Sequence, residues 1–151
     1  MEARVNLFEK GKDGLKPIFG LGAYLKKSRI EHRLLVLIDF RISQINGCAY
    51  CMDMHAKDAR ALGETEQRLY AISAWRETSF YTERERAAFA WAEAVNSNHV
   101  PQEIFDKAKL HLSDEELIDL TFAVTAINTW NKLNLAFAPL KAGSYVVGQF
   151  D

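Results

Sequence analysis

Apolar residues recur along much of this chain at intervals of three and four, the spacing that gathers them on one side of an α-helix. From Thr82 onward, Ala87, Phe89, Ala90, Ala94 and Val95 keep this rhythm behind a charged first turn of Glu83, Arg84, Glu85 and Arg86. Thr82 and Glu85 have capping-box spacing, in which each side chain takes a backbone N–H of the other, so Thr82 marks a helix start. Ser113 and Glu116 repeat the device ahead of Leu117, Leu120, Val124, Ile127, Trp130 and Leu133. That run predicts a helix of about twenty residues, or about 30 Å, with Pro139 beyond its end. Ile30 to Ile45 reads as a strongly apolar helix interrupted by Asn46-Gly47. Cys48 to Leu62 reads as the next, stopped at Gly63, and Glu64 to Trp75 as another. Pro101 to Leu110 is a short helix with proline in its first turn, and Leu15 to Lys26 a short opening one. Strict alternation of apolar and polar residues, the mark of a strand, is missing; Tyr145-Val146-Val147 is β-prone but short and isolated. The pattern predicts an all-α bundle of six or seven helices. No internal repeat or linker divides it, so residues 1–151 are expected to form a single domain.

Composition narrows the function classes. At 151 residues, with 48% hydrophobic and 26% charged, a chain can bury roughly 70% of its unfolded surface and needs no staple for stability. Nineteen Lys and Arg against 20 Asp and Glu give a net charge of -1, which argues against a nucleic-acid partner. The longest stretches free of Asp, Glu, Lys and Arg, residues 42–52 and 120–131, fall short of the ~18 apolar residues that suggest a spanning helix. The first ten residues carry four charges and no apolar core of a signal peptide. A soluble, cytoplasmic protein without a membrane partner is expected.

The chemistry concentrates in one segment. The chain has two cysteines, Cys48 and Cys51, with His55 four residues further on. Asn46-Gly47 favours a turn, which sets Cys48 at the first turn of a helix and puts Cys48, Cys51 and His55 on one helical face. Backbone N–H groups at a helix N-terminus favour a thiolate, and the histidine can take up its proton. A disulfide between residues three apart encloses almost no loop and adds little stability, so its use lies in being made and broken. Two other readings stand beside this redox pair. Cys-x2-Cys-x3-His supplies three zinc-type ligands where a structural site needs four, and the cysteines can also act as small buried apolar residues beside a surface histidine. A thioredoxin arrangement needs a βαβ setting that the helical pattern denies.

Elsewhere the signals are structural. Gly20-Leu21-Gly22 lacks the third glycine of a dinucleotide fingerprint and follows no strand. Trp75, Trp91 and Trp130 read as core or interface, and Lys26, Lys27, Arg29 and Arg33 as a solvated helix end. Tyr70, Trp75, Phe80, Tyr81 and Phe89 form an aromatic stretch suited either to an interface between subunits or to the core.

The run from Arg41 to His55, RISQINGCAYCMDMH, resembles the core motif of the carboxymuconolactone decarboxylase-like superfamily, nearest its AhpD-like alkylhydroperoxidase branch. Lys57 to Arg60, Gly63-Glu64, Trp75 to Thr78 and Ala126 to Asn131 extend the resemblance over about residues 30–138. It implies an all-helical homo-oligomer, commonly a trimer or hexamer, with thiol peroxidase activity toward alkyl hydroperoxides; separately, no bound cofactor or metal is expected. It further implies an external dithiol reductant, which in AhpD itself is a lipoyl group on a carrier protein. Carried onto this sequence, the resemblance makes Cys51 the peroxidatic cysteine, Cys48 the resolving one and His55 the proton relay. Helix-dipole reasoning alone favours Cys48 as the nucleophile. The family commonly has a glutamate twelve residues before its first cysteine; here that place holds Val36, and Asp39 is the nearest carboxylate that can serve the relay. The alternatives are a non-catalytic helical oligomer whose cysteines sense oxidation, and a lactone decarboxylase, whose kind generally lacks the paired cysteines.

Overall fold

A computed structural model describes residues 3–150. Among them stand eight α-helices and one 3-10 segment, and no strand. The helices are α1 (Leu7–Lys10), α2 (Lys12–Leu25), α3 (His32–Asn46), α4 (Ala49–Ala61), α5 (Glu66–Ala71), α6 (Glu83–Asn96), α7 (Gln102–Lys109) and α8 (Asp114–Phe137), with the 3-10 segment over Ile72–Glu77. The all-α expectation holds, and every predicted helix is present. The two additions are the single turn α1 and a break in the element predicted from Glu64 to Trp75. There α5 tightens into the 3-10 segment, with Ala74 off helical geometry, and Trp75 turns inward against Phe89, ring centroids 5.8 Å apart.

Burial explains the layout. Leu34, Leu35, Val36, Leu37 and Ile38 are all buried, and a helix apolar on every side belongs in the middle of a bundle. Accordingly α3 packs most extensively against α4 and α8. On α8, Leu117, Leu120, Val124 and Ile127 make the buried stripe, which continues to Asn131 rather than to Trp130 and Leu133. Both capping boxes form: Thr82 with Glu85, and Ser113 with Glu116. The helix α8 runs 24 residues and ends before Pro139, as expected. Opening helix α2 starts at Lys12, earlier than Leu15, because Gly14 and Pro17 mask its pattern without stopping it.

Two basic residues read as solvated are anchors instead. Arg33 pairs with the buried Glu64 at 3.1 Å, and Arg68 reaches the same carboxylate at 2.8 Å. Arg29 lies 3.6 Å from Asp119, itself buried and accepting a 2.6 Å hydrogen bond from the Tyr24 hydroxyl. A buried carboxylate needs such partners because desolvation otherwise penalises its charge. Within the aromatic stretch Trp75, Tyr81 and Phe89 lie in the core, while Tyr70 and Phe80 are exposed. No helix of the described residues is long and apolar enough to cross a membrane.

The Ser113 cap gives a direct test of the fold. Ser113→Ala removes the acceptor for the Glu116 N–H and is expected to lower stability by about 1 kcal/mol, read as a shift in the urea midpoint.

Candidate active site

The site begins at the junction of α3 and α4. Gly47 adopts a left-handed φ of 72°, the Cys48 N–H bonds the Ser43 carbonyl at 3.1 Å, and the Gly47 N–H bonds the Gln44 carbonyl at 3.2 Å. This is the Schellman ending, which favours glycine because it lacks a Cβ. Side chains from α8 secure the turn. The Asn46 amide donates to Asn128 at 2.8 Å and to Asn131 at 2.9 Å, and the Asn131 amide donates to the Ser43 hydroxyl at 3.1 Å. Cys48 is thereby fixed as the N-cap of α4 in extended backbone geometry. Cys51 falls in the first turn, whose N–H groups have no partner within the helix and form the positive end of its dipole.

Cys48 and Cys51 form a disulfide with Cα atoms 5.4 Å apart, and both are buried. Their surroundings differ. Cys48 is turned toward α8, where the Asn134 amide approaches its sulfur at 3.7 Å. Cys51 lines a cavity of about 660 Å³, and His55 lines it one turn further along α4. Asp39 of α3 lies on the same wall with a carboxylate oxygen 4.0 Å from His55 Nδ1, too far for a hydrogen bond. Arg41, two residues further along α3, binds Glu93 at 2.7 Å. The structure therefore brings together all four residues singled out from sequence. Among the described residues, no three His, Cys, Asp or Glu side chains gather as a metal site.

Burial sets the charge state of the pair. The His55 imidazole pKa is lowered to about 4, by desolvation first and by the nearby His32 second. The Asp39 carboxyl is raised to about 8, again by desolvation first and then by the charge of Asp58. Near neutral pH both are uncharged for most of the time. Neither ring nitrogen of His55 makes a hydrogen bond with the described residues, nor does the buried Tyr50 hydroxyl or the Asn134 side-chain oxygen. Val36 lies on the cavity wall as well.

Other parts of the site escaped the sequence reading. Tyr50, Trp130 and Asn134 line the cavity, and so does the segment after α8 through Leu140, Tyr145 and Phe150. That segment is tied to α4: Lys57 donates to the Tyr145 carbonyl at 3.0 Å, the Gly143 N–H to Asp53 at 2.9 Å, and the Tyr145 hydroxyl to Asp58 at 2.8 Å. Asn134 follows Asn131 and Asn128 at three-residue steps. This spacing of one residue type was the available signal.

Residues 15–94 match the model of the carboxymuconolactone decarboxylase family. The uncharacterised protein YdfG of Bacillus subtilis (strain 168) is 40% identical over 139 residues, covering 90% of this chain and 95% of YdfG. The chain belongs to the carboxymuconolactone decarboxylase family. A crystal structure from Agrobacterium tumefaciens, of a protein of unknown function described as a candidate antioxidant defence protein AhpD, shares 39% identity. It superposes with a TM-score of 0.87 over 92% of this chain and 97% of that one, which places the chain in the AhpD-like branch. The debrominase Bmp8 shares 24% identity with a TM-score of 0.80 over 90% of this chain and 75% of its own, a likeness of fold.

The raised carboxyl has a measurable consequence. Asp39 holds its proton more tightly in the folded chain (about 8) than at its ordinary value of 3.8. Its stabilising contribution is full below that ordinary value and is lost as pH rises through 8. His55 acts in the opposite direction, contributing above its ordinary 6.5 and losing that contribution as pH falls to about 4. Between pH 6.5 and 8 Asp39 is the one of the two that titrates, so unfolding stability should fall by up to about 1.4 kcal/mol per pH unit. Urea denaturation of Asp39→Asn is expected to show that slope flattened. An unchanged slope would assign it to another group.

Proposed function

We propose that the protein is a thiol-dependent peroxidase that reduces alkyl hydroperoxides through Cys51, Cys48 and His55. The observation that carries this reading is the unequal placement of the two sulfurs: Cys51 lines the cavity beside His55, while Cys48 is buried against α8. In the reduced protein the Cys51 thiolate attacks one peroxide oxygen. A sulfur–oxygen bond forms, the O–O bond breaks, and the departing alkoxide takes a proton to leave as an alcohol. The Cys48 sulfur then displaces hydroxide from the Cys51 sulfenic acid, so that the disulfide forms and water is released. A dithiol of an external reductant, such as a lipoyl group on a carrier protein, returns both cysteines to thiols and is itself oxidised.

His55 takes the Cys51 proton at the start of this cycle. A thiolate beside the ring would raise its pKa from the low value that it has next to the disulfide, and the first-turn N–H groups of α4 help to hold the negative charge. Asp39 is a positioning residue that faces His55 across 4.0 Å. The candidate antioxidant role of the Agrobacterium protein accords with this reading. A homo-oligomer, trimeric or hexameric, working in the cytoplasm completes the proposal.

Consumption of an organic hydroperoxide with dihydrolipoamide tests it. Wild-type protein is expected to turn over and to form the Cys48–Cys51 disulfide, seen by intact mass. Cys51→Ser should lose more than 100-fold in rate, and Cys48→Ser should accumulate a trappable sulfenic acid. Label found in the Cys51→Ser protein alone would reverse the two roles, and a wild-type protein that consumes no peroxide would end the proposal. Asp39→Asn is expected to slow turnover by about tenfold, less than the roughly 100- to 10,000-fold of a direct general acid or base because Asp39 acts through His55, and to shift the pH–rate profile. A purely structural Asp39 would leave that profile in place.

A further inference from the structure

Aromatic side chains are prominent in the wall of the cavity. Six aromatic rings line it from five parts of the chain: Phe8 of α1, Phe19 of α2, Tyr50 of α4, Trp130 of α8, and Tyr145 and Phe150 of the segment after α8. Four of them are already arranged as pairs. Phe19 and Trp130 are tilted at 55° with centroids 5.1 Å apart, and Tyr145 and Phe150 stack at 21° with centroids 6.0 Å apart. Phe8, Phe19 and Phe150 remain well exposed although they lie beside an apolar cavity, so their rings are left with faces to cover. Deeper in, the wall carries polar atoms without hydrogen-bond partners among the described residues: the Tyr50 hydroxyl and both nitrogens of His55. Both side chains are more than nine-tenths buried.

We propose that this cavity binds an uncharged aromatic compound, its ring against the aromatic wall and its polar substituent at Tyr50 and His55 beside Cys51. The volume, about 660 Å³, lies within the roughly 300–1,000 Å³ typical of small-molecule sites. Aromatic rings carry negative faces and positive edges, and so a ring among rings gains offset and edge-to-face contacts that a saturated body of the same size does not make. The unpartnered hydroxyl and imidazole supply a donor and acceptors for a neutral polar group, and leaving such groups unpaired is costly.

Charge selects against an anion at that end. Asp58 is a neighbouring carboxylate engaged by Tyr145, and the Asp39 carboxyl and His55 ring are both uncharged near neutral pH. The cationic side chain on the wall, Lys26, already has a partner, and His32 lines the wall as well. Taken with the proposed peroxidase chemistry, on which this extension rests, the preferred oxidant is an aryl-bearing hydroperoxide. Binding itself does not depend on that chemistry.

Glycine 22 provides the probe. It lines the cavity, and a Cβ built there meets nothing within 4 Å, as is also true of Gly14 in the same helix, which is not among the lining residues. Calorimetric titration of the disulfide form with 1-naphthol, its saturated analogue decahydro-1-naphthol and 1-naphthoate separates ring, volume and charge. Naphthol is expected to bind at least tenfold more tightly than either comparator. Gly22→Phe should weaken it at least tenfold, Gly14→Phe should leave it unchanged, and Trp130→Leu should weaken naphthol while sparing the saturated analogue. Equal binding of decahydro-1-naphthol overturns recognition of the ring, and equal or tighter binding of naphthoate overturns the uncharged substituent. Indifference to Gly22→Phe, or no binding at all, overturns the site. Because the disulfide form is inert to peroxide, these results stand apart from the turnover assay. Binding without turnover would sink the chemistry alone, and turnover without binding would sink this inference alone.

Discussion

The site depends on a reversal of the chain at Gly47, between the buried helix α3 and the helix that carries both sulfurs. A left-handed residue there lets the last carbonyls of α3 find partners in the N–H groups of Gly47 and Cys48. The same residue, Cys48, then opens α4. Free to rotate, such a turn would leave the direction of α4 undefined. The asparagine side chains of α8, holding Asn46 and Ser43, remove that freedom, and the burial of Asn131 and Ser43 makes the arrangement hard to exchange for water. Placement of the thiols is therefore a property of three helices together.

Around that junction the protein combines polar groups with an apolar enclosure. His55 and Asp39 face one another closely, yet they do not form the charged pair that their chemistry would suggest in water. Desolvation opposes both charges and moves the two pKa values in opposite directions, each toward its neutral form. A new negative charge on Cys51 would change this balance more strongly than it could at an exposed position, because the low dielectric of the cavity strengthens each electrostatic interaction. The enclosure is completed by the segment after α8, which three hydrogen bonds from or to Lys57, Asp53 and Asp58 hold on α4.

Much of the fold was legible in the sequence because its signals are local. The Thr82 and Ser113 caps, the break at Asn46-Gly47 and the apolar stripe of α8 each depend on residues a few positions apart. The cluster of Cys48, Cys51 and His55 could be read for the same reason, and Asp39 came within reach through its place on α3. What could not be read depends on distant pairings. Arg33 and Arg29 resemble solvent-facing charges until Glu64 and Asp119 come under them. Trp130 resembles one more core residue, and the run at Tyr145 is β-prone but short and isolated, with no sign of a cavity. Their place on the cavity wall follows from packing between α2, α4, α8 and the segment beyond.

The ring closed by Cys48 and Cys51 spans only two intervening residues. A loop that short removes little freedom from the unfolded chain, and the packing of α3, α8 and their neighbours carries the folding free energy whether or not the sulfurs are joined. Robustness of the scaffold and reactivity of the pair are thus separable traits. Natural selection can harden or loosen the bundle for a warmer or colder habitat without retuning the sulfur chemistry.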